Sequence, residues 1–511
     1  MKLVRILSAI AALFAIAAGL WHLLGATAGL SIGRSDVAGT PVTVFRLASG
    51  APAPVVVIAH GFAGSQQLMQ PFAVALAKSG YVAVTFDFLG HGRNPKALRG
   101  SITAAEGATS ALVEEFGQVA AFARGLAGGD GRIAVLGHSM ASDIVIRYAQ
   151  AQPNVEATVA VSMFSPVVTP TSPRNLAVIV GGFEPEPLKD EGRRVVGMIS
   201  GDAPEPHVTY GNFADGTARR LSFSSNVEHI GVLYSPESLT EARDWLNAAF
   251  GRSGMGDIIA RGPWLGLLFF GIALLAWPLS KLLPQVSSIQ LGAGLPWRNL
   301  LLVAIAPAVL TPIILWKVPT AFLPILLGDY ITVHFALYGL LTLVGLRLVA
   351  GRSRTDRVAF ASSPVSYGNF AIGASLMAVY SILAFGLPID LFVTAFWPIP
   401  ERAPLILAVL AGTLPYFLAD DWLTRGPGAR RGSYAATKLC FLLSLAIAVA
   451  LNFEKLFFLI LIIPIILVFF IIYGLFSGWA NRQTRHPLVG GFANALAFAW
   501  AIAVTFPMLI R

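Results

Sequence analysis

Residues 132–141 read Arg132-Ile133-Ala134-Val135-Leu136-Gly137-His138-Ser139-Met140-Ala141, and residues 141–151 then take up a helical period. An apolar run that a Gly-x-Ser-x-Ala turn joins to a helix predicts a strand, a sharp turn and a helix opening beside the serine. Such a turn lifts the serine hydroxyl above the end of a sheet. The small residues at its ends let strand and helix backbones approach closely, and Ala141 stands where glycine is usual. The helix N-terminus favours negative charge developing beside it. Taken alone the motif is a weak signal; between a strand and a helix it is a strong one.

Working outward, strand-like runs recur at 42–47, 54–60, 81–88, 132–137, 157–164, 175–181 and 221–227. Helical patterns lie between several of them, at 68–79, 108–126, 141–151 and 236–250. This rhythm predicts a mostly parallel sheet with helices on both faces. The unbroken apolar run Val55-Val56-Val57-Ile58-Ala59 suits a strand covered on both sides. A domain over residues 36–250 follows.

A serine hydroxyl is a poor nucleophile and needs a base. His229 follows the last expected strand and precedes the last expected helix, which makes it the candidate. The base needs an acid to orient it and to stabilise its cation. Glu184 is the first carboxylate after the strand at 175–181; Glu186 and Asp202 are further candidates in the same connection. Backbone N–H donors for the substrate oxygen are expected from Met140 and from Phe62, in the loop His60-Gly61-Phe62-Ala63-Gly64. His60 and His91 read as loop architecture, and His138 as pointing away from where the base must act.

His60-Gly61-Phe62, the stretch Asp87 to Arg93, Gly137-His138-Ser139-Met140, Glu184 and His229 together resemble the α/β-hydrolase family. The resemblance covers about residues 40–250, under half of the chain, and its specificity lies in the order of the motifs. It implies acyl transfer through a covalent acyl-serine: Ser139 attacks, His229 takes and returns the proton, and water releases the acid. No metal or organic cofactor is implied. Esterases, lipases, peptidases and acyltransferases share the fold, so hydrolysis of a carboxylic ester stands beside transfer to a lipid or glycan acceptor and peptide cleavage. Residues 164–175 leave no room for a helical lid. An open pocket facing the membrane surface is therefore expected, taking an acyl-bearing lipid or other apolar acyl ester. A transporter or sensor with a non-catalytic hydrolase-like binding domain is the alternative of another class.

The 511 residues are 55% hydrophobic and 12% charged, with a mean hydropathy of +0.70. A soluble chain carries about 25% charged residues, so composition points to a membrane protein in contact with lipids. Residues 1–250 hold 18 Lys+Arg against 19 Asp+Glu, whereas residues 251–511 hold 18 against 8. The second half is basic because acids are scarce; no basic run marks nucleic-acid binding. Eight apolar stretches between 263 and 511 predict a bundle of about eight transmembrane helices. Residues 1–30 add an amino-terminal anchor or signal segment. With 31–262 outside, short inside loops hold 12 basic residues and outside segments six, which predicts an extracytoplasmic hydrolase domain. The short N-terminus and compact loops suit a bacterial inner membrane, which would make that side periplasmic. Cys440 is the single cysteine, so neither a disulfide framework nor a cysteine metal site is available. Within the bundle, Asp329, Tyr330 and His334 read as interfacial, and Asp420 and Asp421 as partners of nearby arginines.

Overall fold

The computed structural model describes residues 2–100, 107–201, 203–350 and 365–510. They form two compact units. One comprises Ala17–Leu268, Ile389–Phe396 and Pro507–Arg511; the other comprises Met1–Ile16, Phe269–Pro388 and Trp397–Phe506.

The first unit is built on a nine-stranded sheet: β1 (Leu30–Val37), β2 (Thr40–Leu47), β3 (Ala53–Ala59), β4 (Val82–Phe86), β5 (Gly129–His138), β6 (Val155–Val161), β7 (Leu176–Gly181), β8 (Thr209–Tyr210) and β9 (Arg219–Ser224). The spatial order is β1-β2-β4-β3-β5-β6-β7-β9-β8. From β4 through β9 neighbouring strands are parallel, while β1, β2 and β8 join antiparallel at the edges. Side chains alternate across the sheet. Val56 and Ile58 of β3 enter a core with Phe72, Leu76, Trp245 and Leu246, under the helices Gln70–Lys78 and Pro236–Phe250. Val55 and Val57 enter a second core with Phe116, Val119 and Val145, under the helices Ala108–Arg124 and Met140–Ala151. Full burial on both faces explains the unbroken apolar runs; each such side chain contributes about 1.5–3 kcal/mol relative to exposure.

Beyond the short edge strand β8, two elements depart from the expected pattern. Strand β1, LSIGRSDV, is partly or fully exposed along its length and lacks apolar alternation. It forms because a two-residue turn at Ala38-Gly39 folds it back on β2 in register, Val37 opposite Thr40 and Leu30 opposite Leu47. The connection after Glu184 contains a helix, Glu186–Ser200, which buries Val195 and Val196 against Val178 and Leu221.

The second unit is helical. Among the described residues of the whole chain, nine helices are long and apolar enough to cross a membrane: Lys2–Gly25, Gly262–Leu282, Trp297–Lys317, Gly328–Val349, Tyr367–Phe392, Pro400–Thr424, Ser433–Leu451, Leu459–Thr484 and Pro487–Thr505. They point to an integral membrane protein. Inside the second unit Asp421 faces Arg425 at 3.3 Å. Asp420 pairs with Lys438 at 2.5 Å rather than with an arginine. His334 is fully buried among the rings of Tyr330, Tyr338 and Phe441.

Candidate active site

Strand β5 runs straight into the turn that carries Ser139. A side chain at Gly137 would place its Cβ 2.4 Å from the Ala141 carbonyl oxygen, so only glycine lets strand and helix meet this closely. Ser139 adopts φ 54°, ψ −120°, a conformation that costs a non-glycine residue about 1–3 kcal/mol. The surroundings hold it there. Its N–H donates to Val161 O at 2.9 Å, and its carbonyl accepts from Ser142 N at 2.9 Å and Ser142 Oγ at 2.6 Å. The strain stores no flexibility: it fixes where the hydroxyl points.

Three side chains distant in sequence then form a chain of hydrogen bonds. Ser139 Oγ lies 3.0 Å from His229 Nε2, and His229 Nδ1 lies 2.9 Å from Glu184 Oε2. A carboxylate only accepts, so Nδ1 carries the ring proton and Nε2 is left as the acceptor facing the serine hydroxyl. The Glu184 side chain is completely buried, and its second oxygen accepts from Gly181 N at 2.9 Å and Ser162 Oγ at 2.5 Å. His229 sits in a loop that Glu228 braces by accepting from Ile230 N and Gly231 N, both at 2.7 Å.

The other sequence candidates divide. Met140 is the first residue of its helix, so its N–H belongs to the set an α-helix cannot satisfy internally. Phe62 follows Gly61 in a loop that abuts the serine: a Cβ on Gly61 would lie 3.0 Å from Ser139 Cβ and 3.1 Å from His138 Nδ1. Glu186 is not brought to the imidazole; it lies on the exposed first turn of its helix, paired with Lys189 and Arg193. Asp202 lies outside the described residues. Among the described residues no cluster of His, Cys, Asp or Glu is arranged to hold a metal ion.

Substituting Gly61 by alanine tests this packing. The added methyl must displace Ser139 or His138 by a few tenths of an ångström, and displacements of about 1 Å in a reacting pair cost roughly 100-fold. Gly61→Ala is expected to lower kcat/KM by roughly ten- to 100-fold, with an unchanged circular dichroism spectrum.

The buried histidines form a second layer. His60 Nε2 accepts from Phe88 N at 3.1 Å, so Nδ1 carries the proton and donates to Gly61 O at 2.8 Å. Asp87 ties the same loops together, accepting from Gln66 N, Gln66 Nε2 and Arg93 N. His138, read from the sequence as pointing away from where the base must act, lies beside His229 in the structure. Its ring lies 4.8 Å from that of His229, and its Nε2 donates to the His229 carbonyl at 3.0 Å. Ser162, Glu228 and His138 are contributors that sequence order alone did not reveal.

Burial pushes the His138 pKa well below the usual 6.5, with the neighbouring His229 adding to the effect; burial also lowers that of His60 against the opposing pull of Asp87. Both rings therefore bind a proton less readily in the folded protein than in the unfolded chain, which takes up protons below about pH 6.5. Their stabilising contribution is therefore present above that pH and is lost as pH falls, by up to about 1.4 kcal/mol per pH unit for each ring. Thermal unfolding of the full chain between pH 7.5 and 5 is expected to show a falling Tm, with a flatter profile in His138→Gln. Identical profiles for the two proteins would contradict this assignment.

Residues 50–184 match the Hydrolase_4 family, described as serine aminopeptidase, S33. A CIB-like hydrolase from Thermoplasma acidophilum is 18% identical, with a TM-score of 0.33, covering 44% of this chain and 99% of that one. A membrane phospholipase A described as a bacterial virulence factor is 15% identical, with a TM-score of 0.31, covering 49% and 99%. A dienelactone hydrolase from Anabaena variabilis is 13% identical, with a TM-score of 0.30, covering 44% and 98%. No curated protein matches. The Hydrolase_4 match over residues 50–184 places an α/β-hydrolase domain in the first half of the chain. That domain marks it as a hydrolase, fused to a helical region with several long apolar helices.

Proposed function

We propose that the protein is a membrane-bound serine hydrolase that cleaves carboxylic esters with apolar acyl groups, lipids among them. The observation that carries this reading is the unbroken relay from Ser139 Oγ through His229 to buried Glu184. In the proposed reaction Ser139 Oγ attacks the ester carbonyl carbon while its proton passes to His229 Nε2. The N–H groups of Met140 and Phe62 stabilise the resulting oxyanion. Collapse breaks the C–O bond, and the leaving alcohol takes the proton from His229. Water then attacks the acyl-serine, giving its proton to Nε2; collapse of the second oxyanion breaks the bond to Oγ and releases the acid, and His229 returns the proton to Ser139 Oγ. Glu184 holds the imidazole in the required tautomer and stabilises its cation throughout.

The apolar preference rests on Phe164 and Phe183, which are 62% and 68% exposed at the ends of β6 and β7. The Phe164 N–H reaches Ser142 Oγ, itself bonded to Ser139 O, and Phe183 adjoins Glu184. The excess of basic residues in alternate loops supports an extracytoplasmic hydrolase domain, periplasmic in a bacterial inner membrane. The serine aminopeptidase description of the matched family favours a second reading, cleavage of a peptide's first amide bond by the same relay.

Full-length protein in a neutral detergent, assayed on p-nitrophenyl esters from acetyl to palmitoyl, on phospholipid and on aminoacyl anilides, separates these. Rates that rise with acyl length, together with fluorophosphonate labelling, are expected. Cleavage of anilides without esters would move the assignment to a peptidase, and transfer to an added acceptor in place of free acid would move it to an acyltransferase. A folded protein that fails to label would leave only a binding role.

A further inference from the structure

The first unit holds a cavity of about 370 Å³ that neither Ser139, His229 nor Glu184 lines. Its size falls within the roughly 300–1,000 Å³ of small-molecule sites. Its lining includes the apolar side chains of Leu23, Leu24, Phe45 and Phe392, and three arginines, Arg34, Arg93 and Arg261, with a single acid, Asp390. Arg93 is matched, pairing with Asp390 at 2.5 Å.

Arg261 is not matched. It is 1% exposed, and among the described residues no carboxylate lies within ion-pair distance of it. Its Nη1 and Nη2 reach only the neutral Oε1 of Gln70, at 3.4 and 3.3 Å, and its Nε has no partner among the described residues. The guanidinium stands 5.7 Å from the centre of the Phe392 ring, so both of its neighbours are themselves cavity walls. A guanidinium offers five donors in a planar fork suited to a carboxylate or phosphate. Leaving it buried and unpaired is costly; an anion in the cavity would remove that cost.

The position in the chain points to the same ligand chemistry. Leu23 and Leu24 close the apolar helix Lys2–Gly25, Arg261 stands one residue before Gly262–Leu282, and Asp390 to Phe392 close Tyr367–Phe392. Helix ends of this kind occupy the level of lipid headgroups when such helices cross a bilayer. We propose that the cavity binds an anionic amphiphile, a carboxylate or phosphate head on an acyl chain, with Arg261 as charge partner of the head and Leu23, Leu24 and Phe45 along the chain. The proposal goes beyond the hydrolytic reading and does not rest on catalysis at Ser139.

The test uses full-length Ser139→Ala protein in a neutral maltoside detergent, so that no ligand is consumed, and follows Tm by tryptophan fluorescence. The probes are oleate, phosphatidylglycerol, and the uncharged or zwitterionic controls oleyl alcohol and phosphatidylcholine. Oleate or phosphatidylglycerol is expected to raise Tm by about 5 °C at roughly 100 times Kd, and the controls are not. A shift with oleate alone identifies a fatty acid, and with phosphatidylglycerol alone a phospholipid headgroup. Adding Arg261→Met should abolish the shift while leaving the ligand-free Tm unchanged or higher, since an unpaired buried charge is removed. Arg261→Gln, which keeps a donor toward Gln70, carries the same loss of shift should the methionine variant fail to fold. Equal shifts from the controls, or a full shift retained without the Arg261 guanidinium, would overturn the proposal.

Discussion

Ser139→Ala is expected to lower kcat on a p-nitrophenyl ester by about 10⁶-fold, to abolish fluorophosphonate labelling and to leave KM within a small factor. The size of the loss follows from the absence of a substitute among the neighbouring hydroxyls. Ser142 Oγ is committed to the Ser139 carbonyl and Ser162 Oγ to Glu184, and neither is the group facing His229 Nε2. The stability cost should be small. Alanine at φ 54° meets the same steric penalty as serine, and among the described residues the side-chain bond lost is the 3.0 Å contact with a 13% exposed imidazole. A net loss of about 1 kcal/mol is the ordinary value for such a bond, so Tm should move by only a few degrees. A residual rate of roughly 10³ over the uncatalysed reaction would remain from oxyanion binding. Retention of more than one hundredth of the wild-type activity by purified, folded Ser139→Ala protein, a threshold set far above that residue (~10⁻⁶), would reject the serine mechanism.

The legible and hidden parts of this molecule differ by whether a residue's partner is local. The strands β3 to β7 announced themselves because both faces are buried, leaving no polar alternation to dilute the apolar run. Ser139 was legible because its strained turn demands small residues at fixed offsets, and His229 because its place between β9 and the last helix of the sheet unit is a matter of chain order. β1 was not legible: Gly33, Arg34, Ser35 and Asp36 carry no burial signal, and the strand exists through its pairing with β2. The helix Glu186–Ser200 did leave a trace, the buried positions Glu191, Gly192, Val195 and Val196 at helical spacing, under a charged exterior that reads as a loop. Ser162 and His138 could not be assigned from sequence at all. Their roles come from contacts with Glu184 and with the His229 backbone, residues 22 and 91 positions away. The apolar helices were the plainest feature of the chain, since hydrocarbon admits few alternatives to a long apolar run.

Glu184→Gln distinguishes an orienting acid from a merely structural one, and its expected effect is a fall in kcat of about 10⁴-fold. Glu184 accepts from three donors on two oxygens: His229 Nδ1 on one, Gly181 N and Ser162 Oγ on the other. Glutamine has one oxygen and one NH₂ group. If the oxygen serves Gly181 and Ser162, the NH₂ faces Nδ1 and the imidazole must adopt the opposite tautomer. Nε2 then carries a proton toward Ser139 Oγ and cannot accept one. If the oxygen instead faces Nδ1, the tautomer is right, but the NH₂ confronts the Gly181 N–H. That backbone donor cannot rotate away, although the Ser162 hydroxyl can, and leaving it buried without an acceptor costs about 1–3 kcal/mol. The first arrangement keeps the backbone satisfied and sacrifices catalysis, so the variant should fold, bind ester with little change in KM and turn it over slowly. Fluorophosphonate labelling should slow in parallel, because the same proton must leave Ser139 there. Glu184→Asp keeps the charge but withdraws it by one methylene, and should retain more activity than the glutamine variant. A glutamine variant with near-native kcat and a lowered Tm would instead show that Glu184 only holds β7 and its turn in place, and would leave His229 without an acid behind it.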